Sequence, residues 1–119
     1  MVEELLKSGE RINQLFSTDI KIIQNREVFS YSVDSVLLSR FPRFPKNGLI
    51  VDFCAGNGAV GLFASSRTKA KILSVEIQER LADMADRSVR LNGLEEQMQV
   101  ICDDLKNMPA YIQGSNVDL

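Results

Sequence analysis

The chain has 119 residues, 45% of them hydrophobic and 25% charged, which suits one small globular domain. A formal net charge of −2 excludes a generally basic nucleic-acid binder but not a local basic patch, and the lack of any histidine excludes His-based general-base catalysis and the usual zinc constellations. Cys54 and Cys102 stand apart without C-x-x-C spacing, and neither a long apolar run nor a signal-peptide pattern is present, so a reducing, cytoplasmic setting is expected and both cysteines read as small core residues.

The first 16 residues scatter Leu5, Leu6, Ile12, Leu15 and Phe16 among charges and read as a short helix with an extended lead-in. Ile20 to Gln24 and Val28 to Ser32 are β-prone runs separated by Asn25-Arg26-Glu27, a pattern that predicts a hairpin. Phe29 and Tyr31 alternate along the second run as core side chains do. Asp34 is placed to cap a helix through Ser35 to Phe41, which Pro42 ends. Arg40, Arg43 and Lys46 follow as a small basic cluster, readable either as a solvated loop or as a phosphate contact.

The most informative stretch runs from Leu49 to Leu62, L-I-V-D-F-C-A-G-N-G-A-V-G-L. Leu49-Ile50-Val51 predicts a strand buried on both faces, closed by Asp52 at its carboxyl end. Gly56-Asn57-Gly58 then forms a turn into a helix over Ala59 to Ala64, a cradle in which backbone N–H groups face a ligand. Lys71 to Ile77 predicts a second strand, ended by Glu76. Gln78 to Asn92 is the clearest helix, with Leu81, Met84, Ala85, Ser88 and Val89 on one face and Gly93 as its cap. Gln97 to Cys102 predicts a third strand with Met98, Val100 and Cys102 in phase, followed by Asp103-Asp104. Val117-Asp118-Leu119 reads as the opening of a fourth strand.

Each of the three predicted strands therefore ends in an acid, and in a βαβ series those ends line one crevice. Gly56, Gly58 and Gly61 fit the G-x-G-x-x-G spacing of dinucleotide sites, but Asp52 would set a second negative charge beside a pyrophosphate. S-adenosylmethionine fits better, because it has no phosphate and carries a sulfonium and an ammonium group. Glu76 is placed to accept from ribose hydroxyls, as either ligand requires.

With these residues the chain resembles the class I S-adenosylmethionine-dependent methyltransferases. D-F-C-A-G-N-G is similar to their first motif, S-V-E-I to the second, and C-D-D-L to the segment near the adenine, where Asp103 and Asp104 stay alternatives. A narrower resemblance, carried by I-K-I-I-Q, F-S-Y-S-V-D-S-V-L-L-S-R-F and E-I-Q-E-R-L-A-D-M-A-D-R-S-V-R-L-N-G-L, is to tRNA(Val) adenine-N6 methyltransferases of the methyltransferase small domain group. It implies a mostly parallel Rossmann-like α/β sheet, incomplete at the C-terminus, with an N-terminal hairpin and helix over residues 1–48 packing on a cofactor-binding half-domain over 49–119. It implies a cofactor site of Asp52, Ala55, Gly56, Asn57, Gly58, Glu76, Ile77, Asp103, Asp104 and Leu105, lined from the N-terminal side by Tyr31 and Asp34. The implied substrate is an adenine of tRNA, methylated on its exocyclic amine, with no metal required.

The family's catalytic Asn-Pro-Pro-Tyr tetrapeptide does not occur in this sequence. The chain is thus expected to be the cofactor-binding part of a longer protein, inactive alone, with an apolar edge on its central strand. Other acceptors compatible with these residues are a guanine of ribosomal RNA or a protein glutamine, and a binding module without catalysis is the alternative outside enzymes.

Overall fold

The computed structural model describes residues 5–15, 18–25, 33–112 and 116–119. Three parallel strands form the central sheet in the order β3 (Leu49–Phe53), β4 (Lys71–Val75), β5 (Met98–Ile101). Helix α2 (Ala59–Ser65) joins the first pair and α3 (Glu79–Leu91) the second. The register sets Asp52 opposite Ser74 and Val75 opposite Ile101, so the carboxyl ends of the three strands lie side by side. The α/β fold class expected from the sequence is the one observed.

Alternation along these strands fills two separate layers. Ile50, Ile72 and Met98 pack with Ala59, Leu62, Phe63 and Val89 beneath α2 and α3. Leu49, Val51, Leu73, Val75 and Ile101 turn to the other face, against Met108 and Ile112 of α4 (Met108–Ile112). Burial on both faces explains why the strands read as near-continuous apolar runs. The predicted face of α3 is buried throughout. That helix stops where Gly93 takes φ +65°, and the Gly93 and Leu94 N–H groups return to the carbonyls of Arg90 and Val89 at 3.1 and 3.0 Å.

Among the described residues the N-terminal hairpin is made with the upstream segment. Strand β2 (Lys21–Gln24) forms as predicted, but it pairs antiparallel with β1 (Arg11–Gln14), with Ile12 opposite Ile23. The extended lead-in expected within residues 1–16 is thus strand β1, and Val28 to Ser32, with Phe29 and Tyr31, lies outside the described residues. The other edge of β2 is taken by α3. Ser88 Oγ accepts the Ile23 N–H at 2.9 Å, while Asn92 accepts the Lys21 N–H at 2.8 Å and donates to the Lys21 carbonyl at 2.6 Å. The remaining edge is what β1 covers, and Thr18 closes the turn by accepting the Ile20 N–H at 3.1 Å.

A buried ion pair locks this arrangement. Arg87 of α3, 6% exposed at its side chain, forks onto Glu10, 2% exposed, through a 2.7 Å bond and a shorter one. The same guanidinium donates to Asp83 at 3.0 Å and to the Leu5 carbonyl at 2.6 Å.

Helix α1 (Val33–Arg40) packs on α2. It starts before Asp34, which sits exposed in the first turn rather than at the cap, where a carboxylate still favours the helix dipole. The last residues lie along the free edge of β3, as a fourth strand would. Asp118 donates its N–H to the Leu49 carbonyl at 2.8 Å, and Val51 donates to the Leu119 carbonyl at 2.9 Å.

Candidate functional site

At the strand ends, Glu76, Asp103 and Asp104 line one cleft and Asp52 lines a second hollow, with the glycine turn following β3. After β3 the chain turns sharply, with Cys54 at φ +58° and Gly56 at φ +59°. The Ala55 N–H reaches back to the carbonyl of Val75 at 2.9 Å, which carries the turn over the end of β4. There the Gly56 N–H donates to Glu76 Oε1 at 2.8 Å. Glu76 is 6% exposed, and its Oε2 accepts the Gln78 N–H at 2.9 Å. Each carboxylate oxygen offers about two acceptor positions, so both keep one for a ligand.

Asp52 opens onto a hollow of about 270 Å³ lined also by Phe41, Phe44, Val60 and Leu119. Its Oδ2 is buried without a hydrogen-bond partner. Burial, reinforced by the neighbouring charge of Glu76, raises its pKa from 3.8 to about 6. A carboxylate in this state favours a cation or a donor that reaches it.

Beyond Glu76 the cleft has a volume of about 200 Å³, lined by Cys54, Val75, Glu76, Ile77, Asp103, Asp104 and Leu105. Ile77 and Leu105 are 61% and 41% exposed, apolar side chains left open at its wall. The two aspartates are engaged in the turn that follows β5. Asp103 accepts from Asn107 at 2.8 Å, from the Tyr111 hydroxyl at 2.7 Å and from the Asp104 N–H at 2.7 Å, which holds its carboxyl below the usual range. Asp104 accepts the Lys106 N–H at 3.0 Å, capping the 3₁₀ turn Leu105–Asn107.

The sequence pattern of the methyltransferase small domain matches residues 19–112, most of the chain. The chain belongs to the methyltransferase small domain family. Membership makes it an S-adenosylmethionine-dependent methyltransferase domain, the enzyme class and cofactor expected from the sequence. Over 82 residues, 69% of its length, it is 30% identical to the tRNA1(Val) (adenine(37)-N6)-methyltransferase of Shewanella halifaxensis and equally to that of Shewanella pealeana. It spans 32% and 30% of those relatives. Among solved structures, TYW2 of P. horikoshii in complex with MeSAdo superposes with a TM-score of 0.71 at 20% identity, over 87% of this chain and 39% of that one. A complex of aTrm5 and tRNALeu superposes with a TM-score of 0.68 at 17% identity, over 85% and 30%. These two establish the shared fold.

The small-domain cleft fits the methyl donor on its own chemistry: an orphaned carboxylate oxygen at Asp52 suits a cationic group, and the spare acceptors of Glu76 suit hydroxyl donors. Gly58, at the end of the turn, and Gly61, within α2, are required by space. Gly58 stands at φ +88°, and a Cβ there would lie 3.1 Å from that of Ala85. A Cβ on Gly61 would come within 2.8 Å of Met98 Cε and 2.9 Å of Ser74 Oγ, because α2 lies directly on the sheet.

Of the other predicted site residues, Asn57 is fully buried and donates Nδ2 toward the Ile23 carbonyl, 3.5 Å away, while its Oδ1 is buried without a hydrogen-bond partner. Ala55 is half-buried in the turn, and Tyr31 lies outside the described residues. Asp34 stands exposed on α1. The cysteine reading is corrected: Cys54 and Cys102 are both exposed, because each lies just past a strand end, where the chain leaves the sheet. Cys54 and Val75 line the cleft and Tyr111 braces Asp103; no periodicity or motif in the sequence marks these roles.

A larger hollow of about 510 Å³ is lined by Lys7, Glu10, Asp83 and Arg87, which pair with one another, and by Glu79 and Arg80, and it holds none of the strand-end acids. Among the described residues no acid or cysteine cluster is arranged to hold a metal, and no helix is long and apolar enough to cross a membrane.

Proposed function

We propose that this chain is the donor-binding part of a cytoplasmic tRNA adenine-N6 methyltransferase, with residues 49–119 forming the S-adenosylmethionine half-domain and residues 1–48 a lead-in packed on it. The observation that carries the reading is the pair of acids at the ends of β3 and β4: Asp52 with a buried, unpartnered oxygen, and Glu76 fixed by two backbone N–H groups with acceptors to spare. Asp52 attracts the cationic amino-acid end of the donor, while the backbone from Ala55 through Gly58 allows its close approach. Glu76 accepts the ribose hydroxyls. Ile77 and Leu105 cover the faces of the adenine, and the Asp103-Asp104 turn borders its edge. Tyr31 and Asp34 belong to the N-terminal wall of the same site.

When bound, the donor supplies a methyl group already activated on a sulfonium. The work of the chain is to hold that methyl in place and to keep the donor's charge matched. An adenine of tRNA as acceptor is supported by the names of the Shewanella relatives. The Asn-Pro-Pro-Tyr tetrapeptide that would hold an acceptor amine is not in the 119 residues. The chain alone is therefore expected to transfer no methyl group. A chimaera in which the C-terminal part of the Shewanella halifaxensis relative follows Leu119 is expected to label unmodified tRNA in N6-methyladenosine. Label in a methylguanosine or in a protein glutamine would move the acceptor. Robust turnover by the chain alone would show that the catalytic centre lies within it.

A further inference from the structure

The segment Arg40-Phe41-Pro42-Arg43-Phe44-Pro45-Lys46 repeats a cation-Phe-Pro unit, and nothing in the donor site accounts for it. From Ser35 to Val75 the chain carries six cations and a single acid, Asp52, whereas the remainder carries eight cations against fifteen acids. The fold gathers that charge. Arg67 donates to the Ser39 carbonyl at 3.3 Å, and the Thr68 hydroxyl bonds the Pro45 carbonyl. These two bonds stitch the end of α2 against the repeat, so Arg40, Arg43, Lys46, Arg67 and Lys69 share one surface. All five are exposed, and none makes an ion pair among the described residues. Glu95, Glu96 and Asp118 flank this end of the sheet, and the sixth cation, Lys71, is held by the Glu96 carbonyl at 2.5 Å.

The two phenylalanines of the repeat differ in use. Phe44 packs partly buried against the core and anchors the segment, while Phe41 is 90% exposed between Arg40 and Arg43. The prolines fix φ on either side. The result is a stiff strap that holds a free aromatic face among unpaired cations, the combination that takes bases by stacking and phosphates by charge.

We propose that this strap and the end of α2 form a docking surface for RNA. The proposal rests on the reading above that the methyl acceptor is RNA. Lys71 opens β4 and bonds Gly48 just ahead of β3 at 2.8 Å beside this surface, while Phe41, Pro42 and Phe44 line a hollow of about 270 Å³ together with Asp52, Val60 and Leu119.

The test is fluorescence anisotropy of labelled tRNA over a range of salt, beside a titration of the same samples with S-adenosylhomocysteine. The triple variant Arg40→Gln, Arg43→Gln, Lys46→Gln is expected to bind tRNA at least tenfold more weakly at low salt and to lower the slope of log K against log salt by roughly 2–3. Phe41→Ala is expected to lose roughly tenfold with the slope unchanged, because a stack and not a charge is removed. Both are expected to bind S-adenosylhomocysteine as the parent does, which also verifies their folding. Unaltered tRNA affinity and slope in the two variants overturn the surface. A change in self-association on Phe41→Ala, with tRNA binding intact, overturns it in favour of a protein partner over Leu38 and Phe41. A parent chain that binds S-adenosylhomocysteine but no tRNA at any salt refutes the RNA reading beneath it.

Discussion

Gly56 donates its N–H to Glu76 Oε1 at 2.8 Å, so the acid that follows β4 holds the turn that leaves β3. Geometry and ligand chemistry thereby meet in one carboxylate, which shapes the loop and faces the cleft. Replacing Glu76 tests both functions. Glu76→Gln keeps one good acceptor for the two backbone donors and is expected to cost about 1–3 kcal/mol of stability and about tenfold in S-adenosylhomocysteine affinity. Glu76→Ala strands both N–H groups and is expected to cost more on each count. Thermal melts and calorimetric titration of the two variants check this.

Asp52 gives a pH-dependent expectation. Its folded-state pKa of about 6 lies above the ordinary 3.8, so folding favours the neutral acid. The stability from this group is complete below the ordinary value and is lost as pH rises through about 6. Asp52→Asn is therefore expected to gain stability relative to the parent as pH rises from 4 to 8. Ligand binding runs the other way, because a cationic donor favours the ionised form. Affinity of the parent for S-adenosylhomocysteine is expected to rise between about pH 5 and 7.5, while the Asn variant stays flat and at least tenfold weaker at the upper end. Denaturation curves and titrations at several pH values separate the two effects.

Arg87 and Glu10 fasten the hairpin to α3 in a nearly water-free pair. Removing one partner leaves the other charge buried, so Glu10→Gln or Arg87→Met is expected to cost about 3–5 kcal/mol. The double variant is expected to recover part of that loss. The Arg87 guanidinium holds the Glu10 carboxyl below its usual range. The contribution of the pair is thus intact at neutral pH and lost as pH falls through that lowered value. Urea titrations of the single and double variants at pH 7 and pH 3 provide the check.

Gly61 has no room for a methyl group between Met98 and Ser74. Gly61→Ala is expected to destabilise by about 1–3 kcal/mol through overpacking, and Met98→Leu in the same chain is expected to relieve part of it. Donor affinity of the folded fraction should change little, because Gly61 faces the sheet.

The legible part of this fold is the part governed by local pattern. The run from Leu49 to Asp52, the turn at Gly56 and Gly58, the buried face of α3 and its Gly93 cap each follow from the residues in their own neighbourhood. The three strand-end acids were legible as a set because parallel connection brings strand ends together, and the register puts them there. What escaped depends on long-range choices. The pairing of β2 with the upstream segment is decided by α3, whose Ser88 and Asn92 occupy the alternative edge some 65 to 71 residues away in sequence. The Arg87–Glu10 pair is likewise a contact across 77 residues, and no local spacing announces it. Cys54 and Cys102 misled because composition favours burial of cysteine, whereas their position just past a strand end decides exposure.

The central claim is that the strand-end acids Asp52 and Glu76 take S-adenosylmethionine and not a dinucleotide. Calorimetric titration of the 119-residue chain with S-adenosylhomocysteine, with NAD in parallel, tests it most directly. Saturable micromolar binding of S-adenosylhomocysteine with no heat from NAD is the expected result. A sample that melts cooperatively yet binds NAD, or binds neither compound, would contradict the assignment of the cleft.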